Sequence, residues 1–157
     1  MPNDGDLTFN RFISIIGRFG QIYFDRELRP MNIGAGQIRI LRALAIKDGI
    51  NQERIRLFFH LDKATVAKTI KPLIREGYIT REKNPEDKRA YRIFLTDKGQ
   101  SIMPALKQTV RRWADILTDG FTEEETQSIN DLLFRMSENA RAHIIEQTAN
   151  PLGGSLK

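Results

Sequence analysis

The sequence predicts a mainly α fold with one small β-hairpin wing (α+β): a winged helix-turn-helix joined to a helical module. Three observations point there. Two short helical segments joined by a tight polar turn fall between Asn51 and Gly77, the second rich in Lys and Thr on its outer face. Two alternating runs, Ile79-Thr80-Arg81-Glu82-Lys83 and Tyr91-Arg92-Ile93-Phe94-Leu95, flank the tip Asn84-Pro85-Glu86-Asp87-Lys88-Arg89, which reads as a hairpin with a long basic loop. Long apolar helical patterns lie at both ends of the chain, away from this basic middle.

In chain order, the first helix runs from Leu7 to about Leu28, with Phe9, Phe12, Ile13, Ile16, Phe19, Tyr23 and Phe24 at helical spacing. Arg29-Pro30 ends it, because proline disfavours helix in the residue before it. Ile15 and Ile22 fall off the stripe, so this helix is apolar on more than one side. One contact surface within the chain and another with a partner chain would account for that. A second helix is expected over Ala35–Lys47, with Ile38, Leu41, Leu44 and Ala45 inward and Gly49 as a left-handed cap. Asn51 is placed to cap a short helix carrying Ile55, Leu57 and Phe58. Asp62 is placed to cap the next, whose inward stripe is Val66, Ile70, Leu73 and Ile74, and which Gly77 ends. Pro72 removes the bond to the carbonyl of Lys68, so a kink or an early end is expected there.

After the hairpin, Thr96 caps a long helix to about Thr118, with Ile102, Leu106, Val110, Trp113 and Leu117 on one side. Thr122 and Glu125 form a capping box for a last helix bearing Ile129, Leu132, Leu133, Met136, Ala140 and Ile144. The expected organisation is a helical dimerisation module from residues 1–30 and 100–150, a winged helix-turn-helix over 31–99, and a flexible tail over 151–157. The competing arrangement is a monomer in which the terminal helices cap the winged core.

Composition narrows the function. The 157 residues carry a net charge of +5, with cations gathered in the middle and acidic residues near the start and after Thr122. Such a balance suits polyanionic partners. There is no cysteine, which excludes disulfides, thiolate catalysis and cysteine-ligated zinc. The two histidines, His60 and His143, have no metal-ligand spacing. No metal and no cofactor are therefore expected. No apolar run reaches the roughly 20 residues a membrane span needs, and the polar, acidic first six residues do not resemble a secretory signal. A cytoplasmic protein is expected.

A helix-turn-helix reads base edges with its second helix while flanking cations neutralise phosphates. On that logic Lys63, Thr65, Lys68, Thr69 and Lys71 face double-stranded DNA, the Thr hydroxyls bonding base or phosphate and Lys68 reaching guanine acceptors. Arg89 can enter a narrow minor groove. Asp87 either pairs with Arg89 or makes a turn bond to nearby backbone amides. Lys83 and Lys88 are phosphate contacts, and Gln52 presents its amide to a phosphate beside free N–H groups. Two rivals are weighed. A winged-helix module that binds protein without DNA would show an apolar or mixed recognition face, against which Lys63, Lys68 and Lys71 count. An enzyme would need clustered carboxylates, a Ser/His/Asp set or a Gly-rich phosphate loop, and none is evident.

The stretches Asn51-Gln52, Leu61–Ile70, Leu73–Ile79, Asn84–Ala90 and Leu95-Thr96-Asp97-Lys98-Gly99 resemble the MarR family of multiple-antibiotic-resistance regulators across almost the whole chain. Their most specific part is the order of helix-turn-helix, Asp-x-Arg wing and Leu-Thr-x-x-Gly exit. The resemblance implies a homodimer joined by its terminal helices, palindromic operators, repression, and release by a small aromatic or phenolic effector. It matches Thr65, Lys68 and Thr69 to the base-reading helix and Asp87 and Arg89 to the wing pair. It places an effector crevice between the dimer module and the DNA-binding lobe, with Phe19, Tyr23, Arg26, Phe58 and Trp113 as candidates. Lys68 departs from the frequent arginine, which weakens bidentate guanine reading. Phe58-Phe59 makes its helix bulkier than usual. The missing cysteine argues against peroxide sensing.

Overall fold

The computed structural model describes residues 5–87 and 89–149; Lys88 and the expected tail at 151–157 lie outside them. Seven α-helices are described: α1 Gly5–Glu27, α2 Ala35–Ile46, α3 Gln52–Phe58, α4 Lys63–Arg75, α5 Asp97–Ser101, α6 Met103–Leu117 and α7 Glu123–Ala149. The strands are β1 Ile50–Asn51, β2 Ile79–Lys83 and β3 Tyr91–Leu95. They form one antiparallel sheet in the order β1-β3-β2, with Ile50 opposite Ile93 and Ile79 opposite Leu95. The hairpin boundaries are those the alternation predicts. Strand β1, two residues long, was beyond the reach of periodicity. By compactness the chain divides into a unit up to Ala114 and a second from Asp115.

The core of the first unit is built from Leu28, Ile33, Ile38, Ile40, Leu41, Leu44, Ile55, Val66, Ile70, Leu73, Tyr78, Ile79, Ile93 and Leu106. Helix α1 adds only its end: Tyr23 is buried and Phe24 half-buried, while Phe9, Phe12, Ile13, Ile16 and Phe19 are 45–57 % exposed. A short 3-10 turn, Arg29–Met31, follows with Pro30 inside it. Asp25 then reaches across, its Oδ1 accepting from the amide of Ala35 at 2.8 Å, and so caps α2 from another helix.

The helix-turn-helix is fixed by its caps. Asn51 Oδ1 accepts from the amide of Glu53 at 2.8 Å, and Asp62 Oδ1 from that of Thr65 at 2.8 Å. At the far end of α4, Gly77 sits at φ +74°, its amide donating to Ile74 while that of Tyr78 donates to Leu73. That is the pair of bonds by which a left-handed residue closes a helix. Thr96 and Lys98 complete the closure, donating to the carbonyls of Gly77 and Glu76 at 2.6 Å each. Gly99 lies against Tyr78, where an added Cβ would stand 2.1 Å from the Tyr78 carbonyl oxygen. The Leu-Thr-x-x-Gly exit is thus a clamp on the end of α4.

Several expectations are corrected. Of the two outcomes expected at Pro72, a kink or an early end, the early end does not occur: α4 continues to Arg75. Proline removes one donor, but its carbonyl still accepts from the amide of Glu76 at 2.9 Å, and the packing of Val66, Ile70 and Leu73 holds the rest. Ile74 is 37 % exposed rather than buried. In α2 the inward set includes Ile40, and Ala45 is exposed. In α3 only Ile55 is buried; Leu57 and Phe58 face solvent. Gly49 has the expected positive φ, +67°, yet serves the entry to β1, where a Cβ would press on Phe94 and Arg92. The long helix after Thr96 is two helices, α5 and α6, interrupted at Ile102. Pro104 has no N–H for the carbonyl of Gln100, which explains the interruption.

In the second unit the capping box of α7 is present: Thr122 Oγ1 accepts from Glu125 N at 3.2 Å and Glu125 Oε2 from Thr122 N at 2.8 Å. Its Leu132, Leu133 and Phe134 are 51–65 % exposed. Among the described residues no helix is long and apolar enough to cross a membrane.

Candidate nucleic-acid interface

Two surfaces of the winged unit carry the predicted residues. The first is the outer face of α4. Lys63, Thr65, Lys68 and Lys71 are exposed and Thr69 half-exposed, opposite the buried Val66, Ile70 and Leu73. The threonine hydroxyls are already committed. Thr65 Oγ1 donates to Asp62 Oδ2 at 2.6 Å, and Thr69 Oγ1 donates to the Thr65 carbonyl at 2.8 Å. A phosphate offers only acceptors, so neither hydroxyl meets one without giving up its bond. This narrows the expectation of base or phosphate contact: each oxygen is left to accept, which matches the exocyclic amino groups of adenine and cytosine, and each methyl to touch thymine. The bonds to Thr65 also hold the Asp62 carboxyl below the usual carboxylate range, the hydroxyl bond most strongly.

The second surface is a cleft of about 380 Å³ between the start of α3, the start of α4 and the base of the wing. Gln52, Lys63, Asp87 and Arg89 line it together, with Arg56, Arg81 and Tyr91. Gln52 Oε1 is buried without a hydrogen-bond partner, so its amide group rather than its oxygen would serve an anion. Arg81 lies over the Tyr91 ring, 3.5 Å from its centre, which fixes the guanidinium at the base of the wing. Arg56 pairs with Glu53 at 2.7 Å, and that bond holds the Glu53 carboxyl low.

Asp87 Oδ1 accepts from the backbone amide of Arg89 at 2.9 Å, and the Asp87 carbonyl from the amide of Ala90. Of the two roles open for Asp87, the structure has the turn bond; no ion pair joins it to the Arg89 side chain among the described residues. Lys83 ends β2 and is exposed.

Sequence reasoning passed over Arg56 and Arg81 as contributors to the cleft. Both had a signal. Arg56 lies one turn after Gln52 on α3. Arg81 shares a sheet face with Lys83 and with their register partners Ile93 and Tyr91.

The effector candidates divide. Tyr23 and Trp113 stack at 5.1 Å, Phe24 meets Trp113 edge-on at 6.2 Å, and Arg26 lies 5.9 Å from the Tyr23 ring. Phe19 stands exposed on the same helix. Phe58 is elsewhere, on the opposite flank of α3 beside Phe59.

Comparison with known proteins agrees with this architecture. The family model described as "MarR family" matches residues 33–91. A MarR transcriptional regulator from Methanosarcina mazei Go1 superposes with a TM-score of 0.83 at 37 % identity, over 86 % of this chain and 97 % of that one. The chain belongs to the MarR family. Among relatives of this MarR-family protein is the uncharacterized HTH-type transcriptional regulator YybA of Bacillus subtilis, 29 % identical over 82 % of this chain and 86 % of that protein. A MarR-family regulator from Listeria monocytogenes, solved with a 26mer DNA, superposes with a TM-score of 0.77 at 26 % identity, over 94 % and 95 % of the two chains. Relatives such as this one are named as transcriptional regulators, not as enzymes. This chain is accordingly a DNA-binding transcriptional regulator, and the catalytic rival falls away.

Proposed function

We propose that the protein acts in the cytoplasm as a homodimeric repressor of a palindromic operator, released by a small aromatic or phenolic effector. The observation that carries the dimer is the face of α1 from Phe9 to Phe19, whose large apolar side chains stand about half exposed among the described residues. In this reading residues 1–30 and 100–150 pair two chains and 31–99 bind DNA. Two α4 helices then enter successive major grooves, about 34 Å apart. Lys63, Lys68, Lys71, Lys83, Lys88, Arg89 and Gln52 meet the duplex, with Thr65 and Thr69 at base edges and Asp87 shaping the wing. The exposed Lys row on α4 and the cationic cleft beside it support this over a protein-binding winged helix.

The Tyr23–Trp113 stack with Arg26 beside it is the effector candidate: two aromatic faces and a cation suit an aromatic ring bearing an acidic hydroxyl. An effector that prefers a different spacing of the two lobes releases DNA, by no more than its differential affinity allows.

The test joins sedimentation with binding to an inverted-repeat duplex over a salt series. A two-chain particle is expected, with affinity that falls steeply as salt rises and a shallower slope after Lys83→Ala. A monomer at micromolar concentration, or binding indifferent to salt, overturns the reading.

A further inference from the structure

Behind the DNA-facing cleft lies a second, larger one of about 660 Å³, bordered by the end of α2, by β1, by α3 and by the far side of the wing. Its volume falls in the range of small-molecule sites. Ile50, Phe58 and Phe59 give it apolar walls, the two rings meeting edge-on at 5.0 Å. Phe58 is 73 % exposed, an unusual position for a large aromatic unless something covers it. Lys47, Arg54 and Arg92 bring three cations to the same cleft, against one carboxylate, Glu86. Neither Lys47 nor Arg54 has an ion-pair partner among the described residues. Arg92 is anchored through Nε to the Gly49 carbonyl at 3.0 Å.

The geometry points to a second ligand site here, for an aromatic carboxylate: its ring against Phe58, its anionic end toward Arg54 and Arg92. The site is separate from the Tyr23–Trp113 cluster and shares no residue with it. It is also placed to matter. Asn51 borders both clefts, and the wing supplies Asp87, Arg89 and Tyr91 to one and Asn84, Glu86 and Arg92 to the other. An occupant of the second cleft therefore touches the same wing that the first one presents to DNA.

The experiment is a titration of the full-length, isotope-labelled protein with 2-naphthoate, followed by backbone amide shifts, with no DNA present. Its result is thus independent of the operator reading. Saturable shifts are expected at Gly49, Ile50, Arg54 and Glu86. The uncharged 2-naphthalenemethanol, and naphthoate on Arg54→Gln, should each bind about tenfold more weakly, as expected for loss of one charge-assisted bond. Glu86→Gln should bind naphthoate more tightly. The amide spectrum of each variant reports whether it is folded. Shifts centred on Tyr23 and Trp113, shifts that grow without saturating, or equal affinity for the neutral alcohol would each overturn the assignment.

Discussion

The largest fully buried side chains all lie between Leu28 and Leu106, whereas α1 up to Ile22 and the middle of α7 carry Phe, Ile and Leu in the open. Helix α1 contains both conditions. Its last turns bury Tyr23 and half-bury Phe24, while three turns earlier Phe12 is 57 % exposed. The winged region closes its own core, so its stability is a matter of internal fit. The terminal helices hold exposed apolar surface, so on the dimer proposed above their energetics belong to association. The two regions should therefore fail differently when damaged.

The largest effect is expected inside the winged region. Gly99→Ala places a methyl carbon 2.1 Å from a backbone oxygen, and a backbone carbonyl that is itself bonded to the amide of Thr96 cannot swing aside. The clamp on α4 must open, at a cost of about 3 kcal/mol, the upper end of overpacking effects. Urea unfolding measures it. A midpoint close to wild type would mean that the core is looser than its geometry states.

The next prediction concerns the open region. Phe12→Asp should leave urea unfolding of the winged region near wild type while weakening self-association by about 2 kcal/mol, the loss of a buried aromatic side chain. Sedimentation over a concentration series reads the second quantity directly. If unfolding stability falls and association does not, the division between the regions is drawn in the wrong place.

That division was visible in the amino acids only in part. The surplus of apolar residues on α1, with Ile15 and Ile22 off its stripe, announced a second surface because one helix packed on one neighbour does not need it. The hairpin was legible because alternation over five residues has a period no helix shares. Strand β1 was not, since two residues have no period and Ile50-Asn51 is defined by its partners Ile93 and Arg92. Exposure of Leu57 and Phe58 escaped too: hydrophobic residues usually mark a core, yet both are exposed and Phe58 lines a cleft. In the candidate nucleic-acid interface the residue types were readable but the donors' prior commitments were not, because the proton of Thr65 is claimed by Asp62 only once the cap forms.

A smaller effect should distinguish the two ends of α4 from the rest of the winged region. Asp62 at its start and Glu76 at its end both hold their carboxyls below the ordinary values of 3.8 and 4.5, through bonds from Thr65 in one case and from Asn32 and Arg75 in the other. A depressed native value means that the contribution is present above the ordinary value and is lost as pH falls through the native one. Stability should hold at neutral pH and decline below about pH 4.5 as both ends of α4 lose their carboxylates. Asp62→Asn keeps a capping oxygen and should flatten the Asp62 part of that decline in unfolding curves taken from pH 6 to 3. An unchanged profile would mean that the cap contributes nothing that protonation removes.

The smallest predicted effect compares two left-handed residues in this region. His60, in the turn between α3 and α4, has φ +50°, and Asn32, after the first 3-10 turn, has φ +54°. A left-handed conformation costs a residue with a Cβ about 1–2 kcal/mol, and glycine avoids that cost while losing about 0.5–1 kcal/mol more chain entropy on folding. Asn tolerates the conformation best, and Asn32 adds a bond from Nδ2 to Glu76 Oε2 at 3.2 Å, the link that also depresses the Glu76 carboxyl. His60 has no such side-chain bond among the described residues. His60→Gly should therefore stabilise the protein by about 0.5 kcal/mol, whereas Asn32→Gly should destabilise it and raise the pH at which Glu76 protonates. Thermal unfolding of the two variants side by side decides it. Destabilisation by His60→Gly would show that the turn is held by the imidazole itself, not merely tolerated around it.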